Sequence, residues 1–139
     1  ATYTAALATG KKVTPHLIDT ITTPEGVIIK DNDDLLPVQL PISAESLAAV
    51  RQGMVAVTSD PEGTATRAFA DFPVKVAAKT GTAETGFEDF SSSNGLFIAY
   101  APADNPQVAI AQIVEKGAWG SNTIGIAKDL LSAYFNVKN

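Results

Sequence analysis

Residues 76–86 read VAAKTGTAETG: a lysine, hydroxyl residues and a glycine directly behind a run of small apolar residues. Along a strand, Lys79 and Gly81 face one way and Thr80 and Thr82 the other. Gly81 carries no side chain, so a second backbone or a reacting carbonyl can come close beside Lys79. The Lys79 ammonium attracts a carboxylate that the threonine hydroxyls can hydrogen-bond. An edge strand adds unpaired backbone groups able to hold an extended peptide, and one of its amides can serve as an oxyanion donor. The chemistry these residues fit is the grip of an extended, anionic peptide on a sheet edge. Lys-Thr-Gly by itself also occurs in ordinary turns. Thr82, and a position at the end of an apolar strand with a second strand following, set this occurrence apart.

Positioning such a rim requires a sheet and helices to cover it. Three apolar segments predict strands at 74–83, 95–101 and 107–115. The last two are joined through PADNP, where proline fixes φ and Asp and Asn tolerate turn geometry, so they form an antiparallel hairpin. Both are apolar at nearly every position, which predicts cover on both faces of the sheet. SAESLAAVRQGMVAVTSD predicts a helix over 44–58, with Ser43 as cap, Glu45 in the positive first turn, and Leu47, Val50, Met54 and Val57 as its apolar stripe. A second helix over 122–135 opens on Ser121 or Asn122 and buries Ile124, Ala127, Leu131 and Tyr134. The opening ATYTAALATG reads as the end of a helix closed by Gly10. KKVTPHLI reads as a short extended segment, and 22–41 as a two-stranded excursion or long loop. The fold class is α+β.

The whole chain bounds the functions available to these elements. Its 139 residues suffice for one domain-sized core, and 45% hydrophobic with 18% charged residues is a globular composition. A formal charge of -5 without a basic block excludes a nucleic-acid surface. With no cysteine, disulfides, thiol catalysis and cysteine metal sites are excluded. No apolar run approaches the roughly 20 residues of a spanning helix, so no membrane contact is expected of this segment. No cofactor is called for.

Several blocks in order, GTATRAF at 63–69, VAAKTGTAE, GLFIAYAPADNPQVAIAQIVE at 95–115 and IAKDLLSAYF at 126–135, resemble the C-terminal portion of the transpeptidase domain of class B penicillin-binding proteins. LATGKKVTPHLI at 7–18 resembles the segment that follows that family's second motif. The resemblance implies serine acyl transfer on D-Ala-D-Ala peptides or β-lactams, with three motifs building one site. Lys79, Thr80, Gly81 and Thr82 match the third. By resemblance Lys79 supports proton transfer and the electrostatics, Thr80 and Thr82 bind the terminal carboxylate, and the Thr82 amide shares the oxyanion hole. Ala78 stands where many relatives carry glycine.

The first two motifs are missing. No serine is followed three positions later by lysine. TGKK at 9–12 has the spacing but a threonine in place of serine, and SSN at 92–94 fits Ser-x-Asn but follows the lysine motif where the family places it before. Residues 1–139 are therefore expected to be a single fragment of a transpeptidase domain. Its catalytic half and N-terminal membrane anchor would lie elsewhere, its parent would act on the outer face of the bacterial membrane, and the fragment alone would be inert and self-associating through uncovered apolar surface. Two further readings stay open: a β-lactam or wall-peptide sensor without turnover, and a stand-alone peptide-binding module.

The remaining candidates are read structurally. His16 has no companion ligands and is assigned a surface role, with no metal site. DNDD at 31–34 lacks the glycine and distal glutamate of a calcium loop and reads as a solvated turn. Trp119 is a loop residue bordering the site or an anchor for its loop. Glu84 and Glu88 shape the cleft edge without catalytic roles.

Overall fold

The computed structural model describes residues 1–31, 35–86 and 92–137. In chain order these form α1 (Thr2–Thr9), β1 (Lys11–Lys12), β2 (Thr20–Thr22), β3 (Ile28–Asp31), β4 (Val38–Gln39), α2 (Ala44–Ser59), α3 (Thr66–Phe69), β5 (Ala77–Ala83), β6 (Asn94–Ala101), β7 (Val108–Val114), a 3-10 turn (Gly120–Thr123) and α4 (Ile124–Phe135). The α+β class holds. None of the described helices is long and apolar enough to cross a membrane.

The principal sheet has the order β5-β6-β7, antiparallel throughout. Its register sets Lys79 opposite Ile98, Thr80 opposite Phe97, Gly81 opposite Leu96 and Thr82 opposite Gly95. Helices pack on both faces, as the apolar strands require, while Ala111 and Ile113 of β7 stay exposed. On one, Ala77 and Tyr100 pack with Leu7 and Ala8 of α1 and Met54 of α2. On the other, Ala78, Phe97, Ala99 and Ala101 pack with Phe69 of α3 and with Ile124, Ala127 and Leu131 of α4. Phe69 stacks on Phe97 at 6.4 Å and meets Phe72 edge-on at 5.6 Å, the offset and T-shaped arrangements that ring quadrupoles favour.

Caps join the helices to this core. The Ser43 hydroxyl accepts the Ser46 amide at the start of α2. Gly10 closes α1 at φ 76°, the left-handed conformation a side chain resists. Arg51 of α2 then donates to the last carbonyls of α1, Nε to Leu7 at 2.8 Å and Nη2 to Ala8 at 2.7 Å, placing a cation at the negative helix end.

Some expectations change. The first strand begins at Ala77 rather than 74, because residues 74–76 lie ahead of the pairing with β6. Ser121 and Asn122 do not cap the last helix. They lie within the 3-10 turn, and α4 starts at Ile124 with Thr123 ahead of it. Tyr134 leaves the predicted stripe and is exposed, its neighbour Phe135 turning to the core instead. Val50 is also exposed. The excursion between residues 20 and 39 is two small pairings: β2 with β3 as a hairpin, and β4 back with β1. Residues 32–34, part of the DNDD stretch expected to be a turn, and Glu88 lie outside the described residues.

Candidate active site

Among the described residues β5 pairs with β6 on one side only, so its other side is a sheet edge. Hydrogen bonds along the strand reveal which residues turn their backbone toward that edge. The Lys75 carbonyl accepts the Ala103 amide, on the β6 side. The Val76 carbonyl accepts the Thr58 hydroxyl from α2, and the Thr80 carbonyl accepts Lys79 Nζ at 2.6 Å. Odd-numbered residues thus face the sheet and even-numbered ones the edge, the alternation of an antiparallel pair. By the same alternation the Thr82 amide points outward.

The side chains divide as expected. Lys79 follows Ala77 on the α1–α2 face, is exposed, and stands beside an open groove of about 400 Å³ walled by Tyr3, Leu7, Val50, Met54 and Ile98. It also borders a smaller groove of about 260 Å³ whose wall includes Asp60, Glu62 and Thr64. Thr80 and Thr82 lie on the other face and are each met from behind by a partner that local sequence does not reveal. Thr64, in the loop between α2 and α3, brings its hydroxyl to 3.1 Å from that of Thr80. Gly120, in the 3-10 turn, donates its amide to the Thr82 hydroxyl at 3.2 Å. The turn is held in place in its own right: the Thr123 hydroxyl donates to the Gly120 carbonyl at 2.8 Å, and Gln112 of β7 donates to the Thr123 carbonyl.

That turn lies flat on the β5–β6 pair because two glycines allow it. A Cβ on Gly120 would fall 2.2 Å from the Gly81 carbonyl oxygen, and one on Gly95 2.6 Å from Thr123. Thr64 lies 16 residues from its partner and Gly120 lies 38 from Thr82. The only trace of Thr64 in the sequence was membership of the GTATRAF block, and Gly120 lies outside every block of the resemblance.

The remaining expectations fall out of the site. Thr9, in TGKK, donates to the Ala5 carbonyl and accepts the Lys11 amide at the end of α1. In SSN, Ser93 is buried and Asn94 begins β6, its side chain accepting the Lys116 amide, so these residues start a strand as expected. His16 pairs with Asp19 at 3.6 Å on the surface. The Trp119 ring is exposed while its carbonyl packs over Gly95 and accepts the Asn122 amide.

A lysine and two hydroxyls on an open strand edge, braced from behind, form a rim suited to an anionic peptide. The sequence model described as "Penicillin binding protein transpeptidase domain" matches residues 1–135. The chain belongs to that family. Among curated members of the penicillin-binding protein transpeptidase family, the peptidoglycan D,D-transpeptidase MrdA of Haemophilus influenzae is 33% identical over 144 residues, covering 91% of this chain and 21% of that protein. Among solved structures, Pseudomonas aeruginosa PBP2 in complex with WCK 5153 superposes with a TM-score of 0.75 at 32% identity, over 94% of this chain and 28% of the other. Penicillin-binding protein A of M. tuberculosis, as its imipenem acyl-enzyme complex, gives 0.79 at 26% identity over 96% and 29%. The chain therefore spans about a fifth of the length of the curated relative and under a third of those solved chains.

Proposed function

We propose that this chain supplies one wall of the acyl-transfer site of a serine-type peptidoglycan D,D-transpeptidase. Lys79 draws in the substrate and supports proton transfer. Thr80 and Thr82 bind the terminal carboxylate of a D-Ala-D-Ala stem peptide or the carboxylate of a β-lactam. Gly81 leaves room for the reacting carbonyl, and the outward Thr82 amide donates to the oxyanion as it develops. The observation that carries this reading is the turning of the Thr80 and Thr82 backbone groups of β5 to an edge that no described strand pairs, beside the Lys79 ammonium.

The serine nucleophile and its own lysine come from polypeptide outside these residues. The absence of any Ser-x-x-Lys in the sequence supports this, as does the length of the MrdA relative, of which the chain covers 21%. The complete protein works on the outer face of the bacterial membrane, to which it is anchored, where peptidoglycan is assembled. The 139 residues alone form no acyl-enzyme. They self-associate through apolar side chains that no described element covers, among them Leu17, Ile29, Leu36 and Val38.

A fluorescent penicillin tests these statements together. The complete polypeptide is expected to take up one covalent label, while the isolated chain takes up none and sediments as species larger than a monomer. A labelled isolated chain would reveal a nucleophile within it, and an unlabelled complete polypeptide would remove the acyl-transfer reading. Crosslinked product from the complete polypeptide separates a transpeptidase from a sensor that stops at the adduct.

A further inference from the structure

We infer that Thr64 is a positioning residue for the carboxylate site, acting through Thr80. This rests on the reading of β5 as a carboxylate-binding wall and adds to it a residue outside the strand. A hydroxyl has one proton to give and two lone pairs to receive with. With the Thr64 and Thr80 oxygens 3.1 Å apart, one hydroxyl donates to the other. An anion at the strand edge decides the direction: Thr80 gives its proton to the carboxylate, and Thr64 gives its own to Thr80. The two bonds polarise each other in series, so the outer one is stronger than a lone hydroxyl would make it.

Thr64 is held for this task. Its loop is closed by the Gly63 amide on the Asp60 carbonyl at 2.8 Å, the Ala65 amide on the Val57 carbonyl at 2.9 Å and the Thr66 hydroxyl on the Asp60 carbonyl. Ala65 is buried in the core beside Ala78 and Phe69. A Cβ on Gly63 would fall 2.4 Å from the Ala56 carbonyl oxygen, so the loop is pressed against the end of α2. Thr64 itself is exposed and borders the groove that reaches Lys79. Its hydroxyl therefore stands fixed where solvent and ligand meet, and the side chain contributes little to the core.

The test compares the complete polypeptide carrying Thr64→Val, Thr64→Ser and Thr80→Val in acylation by a β-lactam with a free carboxylate and by its methyl ester. Thr64→Val is expected to slow the carboxylate reaction by about tenfold, the upper end of one net hydrogen bond between neutral groups, and to leave the ester reaction nearly unchanged. Thr64→Ser should restore the carboxylate rate. An equal loss with both compounds, or none with either, would overturn the inference, since a merely structural Thr64 cannot tell acid from ester. Thr80→Val separates the two levels. If it abolishes the preference for the carboxylate and Thr64→Val leaves that preference unchanged, the wall stands and the role of Thr64 falls; if Thr80→Val leaves the preference intact, the wall itself is misread. Should Thr64→Val fail to melt cooperatively, Thr64→Ala is read by the same comparison.

Discussion

Lys79 shows how far a residue can be exposed and still be constrained. Its ammonium folds onto the carbonyl of its own neighbour, Thr80, at the strand edge, and none of the described carboxylates forms an ion pair with it. Because the side chain contributes nothing to the core, Lys79→Ala should leave the melting temperature of the complete protein within a degree or two while reducing acylation by about 100-fold or more, the range of a lost proton-transfer group. A parallel fall in melting temperature would assign the lysine to structure. The residues of the rim were legible in the sequence because their types and order already form a chemical pattern. Their partners were not, because Thr64 and Gly120 are ordinary residues whose relevance is a distance.

At the scale of elements, the 3-10 turn matters more than its four residues imply. It reaches over the β5–β6 pair, fixes the Thr82 hydroxyl as an acceptor for the Gly120 amide, and leaves that hydroxyl's single proton for donation elsewhere. Gly120→Ala places a methyl group into the backbone of Gly81, and either the turn or the strand must shift. The expected cost is about 1–3 kcal/mol, read by urea unfolding of the complete protein, with acylation falling further than the stability loss explains. An unchanged acylation rate would show that the turn does not brace the rim. The sequence located α4 by its stripe but misjudged its start, since Ser121 and Asn122 are good capping residues that tertiary contacts drew into a tighter turn. Tyr134 kept the helical spacing but stays exposed, its hydroxyl donating to the Gln107 carbonyl ahead of β7 while Phe135 packs on the core.

The molecule as a whole is a sheet with helices on both faces, and its buried groups make its stability depend on pH. Tyr100 lies in the later half of β6 with its side chain fully buried. Burial pushes the phenol above its ordinary 10.0, the Arg51 guanidinium draws it part of the way back, and Asp104 adds to the rise. A folded value above the unfolded one means that the neutral phenol's contribution is intact below about pH 10 and is lost as pH climbs through the raised value. Urea unfolding followed into that alkaline range should show stability falling, and Tyr100→Phe should flatten the fall. An identical slope in the variant would mean that another group carries the alkaline loss.

Local chemistry gave the sequence its determinate part. Apolar runs and turn residues defined three strands and their hairpin, spacing and a serine cap defined α2, and the Lys79–Thr82 pattern defined the rim and the side of the strand on which each member stands. All of these depend on neighbours within a few positions. Which edge of β5 stays open, which loop closes behind Thr80 and which turn lies upon Gly81 depend on contacts between residues 16 to 38 positions apart. Those were decided only when the helices and the sheet packed, because a hydrogen bond between distant residues leaves no periodic mark on the chain that makes it.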